Sequence, residues 1–232
     1  MLFPAVQFMS KLVEIIAIVE GKTEQIFIQD ILVSHFCKKN IYITPIIASK
    51  PGQKGGDIKW ARVKNDIERF LKQRSDTYLT LFLDLYGINP DWPGYEEAKL
   101  KKYSFEKAAS INTATIEEVK KLFGDYTAQN RFIPFVAIHE FEALLFSDSR
   151  SLAKSLKVSE SKVLRIIDEC GSPEEINDSQ QTAPSKRLLE LSKRFKKTTT
   201  GISVAKEIGL ELMRKKCPIF NIWLENIENL VG

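Results

Sequence analysis

The stretch that most constrains this chain is Val13-Glu14-Ile15-Ile16-Ala17-Ile18-Val19-Glu20-Gly21-Lys22-Thr23-Glu24. Ile15 to Val19 is uniformly apolar and largely β-branched, the pattern of a strand covered on both faces in a parallel sheet. Gly21 permits a sharp turn and Thr23 is placed to cap a helix. Phe27, Ile28, Ile31, Leu32 and Phe36 then recur at helical spacing on one side. Open α/β sheets build their sites beyond the carboxyl ends of strands. Glu20 stands at that edge, with Glu24 one helical turn further on. The two acids either hold a cation or answer the positive end of a helix dipole. Gly21-Lys22-Thr23 also resembles the tail of a phosphate-binding P-loop, but Ile16 occupies the position of that motif's first glycine and argues against it.

The same alternation continues downstream. Ile41 to Ala48 reads as a second strand, followed by a polar, glycine-rich turn from Ser49 to Asp57. Residues Ile58 to Arg74 carry Trp60, Val63, Ile67, Phe70 and Leu71 at helical spacing, and Tyr78 to Leu83 is another buried strand that ends in Asp84. Strand, helix, strand, helix, strand is a doubly wound α/β pattern with a mostly parallel central sheet flanked by helices. Turn residues fill Tyr86 to Gly94, a charged helical stretch is expected over Tyr95 to Lys107, and a shorter amphipathic helix over Ile116 to Phe123. Phe132 to Ile138 is a fourth strand, whose Pro134 belongs near an edge, a bulge or the strand start. Beyond it the chain is helical in character, with helix openings at Ser172-Pro173-Glu174-Glu175 and Pro184-Ser185. The expected organisation is therefore an α/β domain over residues 1–150 and a helical C-terminal region over 151–232 packed on it, not independent of it. The length of 232 residues suffices for one sizeable core.

Composition narrows the chemistry only a little. A net charge of +4 permits nucleic acid as a partner without arguing for it. Cys37, Cys170 and Cys217 are widely spaced and form no Cys-x-x-Cys pair, which argues against a disulfide framework or zinc knuckle. With no signal peptide or membrane span evident, the cytoplasm is the expected location. Residues Met1 to Gln7 read as a lead-in before a second methionine, Met9.

Three places offer acids at the same edge of the sheet: Glu20, Asp84, and the segment from His139 to Asp148. If the strands before Glu20 and Asp84 are neighbours, their carboxylates converge, and two close carboxylates need a cation between them. A hard divalent ion such as Mg²⁺ or Mn²⁺ suits them, because it accepts one or two carboxylates and keeps its waters. Lys22 or Arg131 would supply the charge instead in a purely structural arrangement. In a helix, His139 and Glu142 would share a face, while Phe141, Leu144 and Leu145 would enter the core. Glu142 is favoured over Glu140 as the inward acid. Such a His-x-x-Glu face either completes the metal site and moves protons or merely opens a helix. Lys186, Arg187, Lys193, Arg194, Lys196 and Lys197 form one basic stretch, and Arg214, Lys215 and Lys216 another. These are either solvated helix faces or grips for a phosphate backbone.

Val19-Glu20-Gly21-Lys22-Thr23-Glu24, followed by a strand ending in Asp84, resembles the Toprim domain. More specifically, the chain resembles the Toprim-like domain-of-unknown-function family 4276. The resemblance is carried by Val19 to Glu24, Asp84-Leu85-Tyr86-Gly87 with Pro93-Gly94, His139 to Asp148, Ser172 to Leu188, and Cys217-Pro218-Ile219-Phe220 with Trp223. It implies a Toprim-like sheet, Mg²⁺-dependent phosphodiester chemistry on DNA or RNA, and a bacterial setting in which related groups accompany ATPases in anti-phage defence. Glu20 matches the Toprim glutamate and Asp84 the first aspartate. Tyr86 stands where the second aspartate of Asp-x-Asp belongs, so a two-metal centre lacks a ligand unless Glu142, Glu24 or Asp148 substitutes. The expectation is a metal-dependent nuclease with Glu20, Asp84, Glu142 and Glu24 about the ion and His139 moving protons. The alternative is a non-catalytic binding subunit docked on an ATPase. A phosphohydrolase of small nucleotides would use the same acids.

Overall fold

The computed structural model describes residues 12–48, 58–176 and 182–231. The lead-in at Met1 to Gln7 and the turn from Ser49 to Asp57 lie outside them. Five parallel strands form the sheet: β1 (Val13–Val19), β2 (Ile41–Ile47), β3 (Thr77–Asp84), β4 (Phe132–Ile133) and β5 (Val136–Ala137). Their order is β2-β1-β3-β4, with β5 continuing beside the far end of β3. This is the expected α/β class, a parallel sheet flanked by helices with a helical C-terminal region.

Alternation along β1 and β3 sorts their side chains into two cores. Val13, Ile15, Ala17 and Val19 face one side with Phe82, whereas Ile18, Leu79, Leu81 and Leu83 face the other. The second side is covered by α3 (Trp60–Gln73) and α5 (Ser104–Phe123). The first is covered by a helical run after β1, comprising α1 (Lys22–Phe27), one π turn (Ile28–Leu32) and α2 (Val33–Cys37). It shares that core with the C-terminal helices α7 (Ser149–Leu156), α8 (Glu160–Cys170), α9 (Pro184–Leu191), α10 (Ile202–Ile208), α11 (Leu210–Lys216) and α12 (Pro218–Glu228). The short helices α4 (Tyr95–Leu100) and α6 (Ala128–Arg131) flank α5. No helix among the described residues is long and apolar enough to cross a membrane.

Several local readings are corrected. Thr23 does not cap α1: Gly21 is its N-cap, and Glu24 Oε2 accepts the Gly21 N–H at 3.1 Å. The expected helix over Tyr95 to Lys107 ends at Leu100, and the one over Ile116 to Phe123 belongs to the long α5. Ala108, Ile111, Thr115, Val119 and Phe123 give α5 one continuous buried stripe, which the small and polar run from Ala108 to Thr115 obscures in the sequence. Pro134 breaks the fourth strand into β4 and β5, as a residue without an N–H must when it interrupts a ladder. Ser172-Pro173-Glu174-Glu175 opens only a single 3-10 turn, Pro173–Glu175. Its acid serves elsewhere, since Glu174 accepts the Ile219 and Phe220 N–H groups at 2.9 Å each and so caps the first turn of α12. Trp223 of α12 donates its indole N–H to Thr80 Oγ1 at 2.8 Å and stacks on Phe135 with ring centres 4.6 Å apart, docking the C-terminal helix on the sheet.

Arg131, considered in the sequence as a site cation, lies at the opposite end of the sheet. Its guanidinium is buried and donates to the carbonyls of Arg74 (2.6 Å), Thr77 (3.0 Å), Leu71 (2.9 Å) and Tyr126, clamping the entry to β3. Arg131→Met strands those carbonyls, so unfolding in urea should show a loss of about 3 kcal/mol.

Burial pushes the Glu174 carboxyl up to about 7, against the pull of the two N–H groups that it caps. A folded-state value above the ordinary one means stability that is full in acid and is lost as pH rises through about 7. That loss should amount to at most about 3 kcal/mol, and in Glu174→Gln the pH dependence of the melting temperature between pH 5 and 8 should flatten by about this share.

Candidate functional site

The strand order reverses between β1 and β3, and the loops that leave their carboxyl ends diverge there to open a crevice. Val19 pairs with Phe82, so Glu20 and Asp84 emerge side by side at the tip of adjacent strands. Their carboxyl groups lie close enough for one, once protonated, to donate to the other. Two carboxyl groups in that contact share a proton or a cation.

The turn after β3 is shaped to allow this. The Gly87 N–H donates to Asp84 Oδ1 at 2.6 Å, and its carbonyl accepts from Ile58 N at 2.8 Å. A Cβ on Gly87 would sit 2.6 Å from Cδ and 2.7 Å from Oε1 of Glu20, closer than any real side chain tolerates. Glycine is required at this position so that the Glu20 carboxylate can lie against the turn that clamps Asp84. The requirement belongs to space rather than to backbone angle, because Gly87 is not among the positive-φ glycines.

Glu24, from the first turn of α1, completes the acid edge. Its carboxyl is raised by burial and by the charge of Asp84, with the Gly21 N–H and Lys197 pulling the other way. Burial also raises Asp84, the charge of Glu140 adds to this, and the Gly87 N–H, Glu20 and Lys197 counteract it.

Phe141–Ser147 is a 3-10 helix buried along its whole length, so Phe141, Leu144 and Leu145 do enter the core. His139 precedes it, and the shared face expected of His139 and Glu142 does not form. His139 is buried and its Nε2 meets Ser104 Oγ at 2.9 Å, while Ser104 Oγ also donates to Glu175 Oε2 at 2.9 Å. This ties the strand end to the start of α5, away from the acids. Glu142, 1% exposed, meets Lys197 Nζ at 2.9 Å. Glu140, set aside in favour of Glu142, meets the same Nζ at 3.0 Å and accepts the Ser185 N–H at 3.0 Å. It is Glu140 whose charge Asp84 feels. Asp148 caps α7 by accepting the Arg150 N–H at 3.1 Å, and is engaged there.

Lys197 is the residue that pattern reading passed over, because it sits inside a basic stretch and nothing in its neighbours marks it. Burial alone would lower its ammonium, but Glu142 and Glu140 outweigh that and raise it above the ordinary lysine value. Burial pushes Glu142 up to about 7, although Lys197 pulls it back, and Glu140 is held below the usual carboxylate range despite burial, by Lys197 and Ser185. Lys22, the other cation considered, turns to Gln25 Oε1 at 2.9 Å and takes no part. Of the remaining basic residues, Lys193, Arg194 and Lys196 are exposed, while Arg187 is paired with Glu169 at 3.3 Å and Arg214 with Glu228.

The donors fit one hard divalent ion rather than two. Glu20 and Asp84 offer only oxygen, in a cradle from which a Cβ is excluded. Among the described residues no group of three or more His, Cys, Asp or Glu is disposed to hold a metal. Mg²⁺ and Mn²⁺ accept such a two-carboxylate site, with water for the remaining positions. Gly87→Ala should displace Glu20 and weaken Mn²⁺ binding at least tenfold in calorimetry, and Gly21→Ala, whose Cβ meets nothing closer than 3.5 Å, should not.

No curated protein matches the chain. Among solved structures, the C-terminal region of the Burkholderia pseudomallei OLD protein superposes with a TM-score of 0.47 at 16% identity, covering 96% of this chain and 100% of that one. The family model described as Domain of unknown function (DUF4276) matches residues 19–228, a span that includes every acid of the site and Lys197, and the chain belongs to that family.

Proposed function

We propose that this protein is a metal-dependent phosphodiesterase of nucleic acid. The observation that carries the reading is the half-buried Glu20–Asp84 carboxyl pair at the switch point of the sheet, with Gly87 cleared to admit it. Burying two acids against each other costs stability, and a fold keeps such a cost where the charge has work to do. In hydrolysis, water adds to phosphorus, one P–O ester bond breaks, and the leaving oxygen takes up a proton.

Glu20 and Asp84 are the residues that would hold Mg²⁺ or Mn²⁺, which when bound supplies positive charge to the phosphate and acidifies water. Glu24 feels the charge of Asp84 and its carboxyl is raised by burial, which makes it a better acceptor for the proton of the attacking water than an ordinary carboxylate. The turn from Asp84 to Gly87 fixes the Asp84 carboxylate through the Gly87 N–H, so its orientation needs no rearrangement on binding. Lys193, Arg194 and Lys196 project from the segment that borders the acids and serve the phosphate backbone on either side. His139 is committed to Ser104 and supports the start of α5. A setting in anti-phage defence beside an ATPase accords with the family resemblance and forms part of the same proposal.

A second reading, a non-catalytic subunit docked on an ATPase, is favoured by the lack of a third metal-ligating group among the described residues. Incubation with supercoiled DNA and with single-stranded RNA in Mg²⁺ separates the two. Cleavage of one polymer, stopped by chelator and reduced at least a hundredfold in Glu20→Gln and Asp84→Asn at unchanged melting temperature, supports catalysis. Binding of polymer with no cleavage in Mg²⁺ or Mn²⁺ supports the docked subunit.

A further inference from the structure

Glu140 and Glu142 come from the strand-to-helix segment after β5 and close on one ammonium, that of Lys197, at 3.0 and 2.9 Å. Lys197 itself begins a π-helical turn, Lys197–Gly201, that is pinned to the core from both ends. Phe195 is buried two residues before it, and the Cβ position of Gly201 lies 3.4 Å from the Phe195 ring and 3.5 Å from Phe141. The backbone at Lys197 is therefore placed by packing, and its side chain, 44% exposed, is held by the two carboxylates. An ammonium carries three donors. One donates to Glu140 Oε1 at 3.0 Å, a second lies nearest Glu142 Oε1 as an ion-pair contact at 2.9 Å without hydrogen-bond alignment, and the third is left for a further acceptor. Asp84 pairs in register with Ala137, three residues before Glu140, and the turn that starts at Lys197 packs on α1, which carries Glu24, so the lysine belongs to the acid edge and its charge is felt by Asp84 and Glu24.

On the other side of that pair, Tyr86 occupies the position from which a second carboxylate would leave the β3 turn, and it is 48% exposed. A two-ion centre needs more carboxylates than Glu20 and Asp84 supply. Of the acids that could make up the deficit, Glu140 and Glu142 are spent on Lys197, Asp148 caps α7, and Glu24 accepts the Gly21 N–H.

We infer that this is a one-ion centre in which Lys197, held in the Glu140–Glu142 fork, supplies the second positive charge to the phosphate. Resting on the phosphodiesterase reading, this assigns Glu140 and Glu142 as positioning residues for the lysine, not as ligands of the ion. The fork has a physical purpose. Without it, a lysine beside a bound divalent cation would be repelled toward solvent, and with it the ammonium keeps a fixed aim while its third donor faces the substrate.

The test uses the full chain and Mn²⁺ alone as probe, followed by electron paramagnetic resonance of the free ion. One Mn²⁺ per chain is expected in the wild type, with affinity changed less than threefold in Glu142→Gln and lost in the Glu20→Gln/Asp84→Asn double variant. A stoichiometry of two, or a tenfold loss of affinity in Glu142→Gln, overturns the inference. The metal-free protein gives a second readout. Nitrogen-edited magnetic resonance should show one slowly exchanging lysine ammonium that disappears in Lys197→Arg and in Glu140→Gln/Glu142→Gln, and its absence from the wild type overturns the fork. Where nucleic acid is cleaved, Lys197→Ala should lower kcat at least a hundredfold and Lys197→Arg should recover a tenth or more of it. Activity of Lys197→Ala within threefold of wild type refutes the role. Lys197→Met combined with both glutamine substitutions leaves no buried charge unpaired and serves if Lys197→Ala does not fold. If the wild type binds one Mn²⁺ and shows the ammonium yet cleaves neither DNA nor RNA, the phosphodiesterase reading fails while the one-ion centre stands.

Discussion

Everything at the tip of this sheet depends on how the negative charge of Glu20 and Asp84 is tolerated. Two carboxyl groups withdrawn from water repel each other by more than a domain can absorb unless a proton, a donor or a cation intervenes. The fold supplies all of these in small doses. The Gly87 N–H lies on Asp84, a proton on one carboxyl can be shared with the other, and the charge of Lys197 is felt at Asp84. The divalent ion proposed for this tip would supply the rest of the neutralisation.

The C-terminal region is bound into this arrangement physically. Lys197 reaches the acids because Phe195 and Gly201 pack against Phe141 and Leu145, which belong to the segment that carries Glu140 and Glu142. Glu174 caps α12, and Trp223 of that helix bonds Thr80 in the central strand. A disturbance in the helices therefore reaches the acid edge through packed side chains, and residues far apart in the chain act at one site. The opposite end of the sheet is held by a different device, the buried Arg131 guanidinium on four carbonyls.

Where pattern reading and structure part, the cause is local. The His139–Glu142 face rested on α-helical spacing starting at His139, but the segment is extended there and becomes a 3-10 helix only from Phe141. A hundred and twenty degrees per residue, in place of about a hundred, then sends Glu142 toward Lys197 rather than toward Asp84. Glu140 was discounted as the outward acid for the same reason. The extent of α5 was hidden because its middle, Ala108 to Thr115, is a run of alanine, serine, threonine and asparagine with Ile111 as its single large apolar residue.

Short-range chemistry made much of this protein readable from its sequence. Apolar β-branched runs bounded by turns located β1, β2 and β3, and a carboxylate after two of them pointed to the crevice edge. Those signals survive because the central strands β1 and β3 are covered on both faces, which favours apolar β-branched residues, while β2 at the edge keeps an alternating buried face. What only the tertiary structure decided is which charges meet. Lys197 approaches Glu140 and Glu142 across more than fifty residues of chain, and the clearance at Gly87 exists only because Glu20 arrives from another strand. Such encounters are set by packing between distant segments, for which neither periodicity nor composition carries a mark.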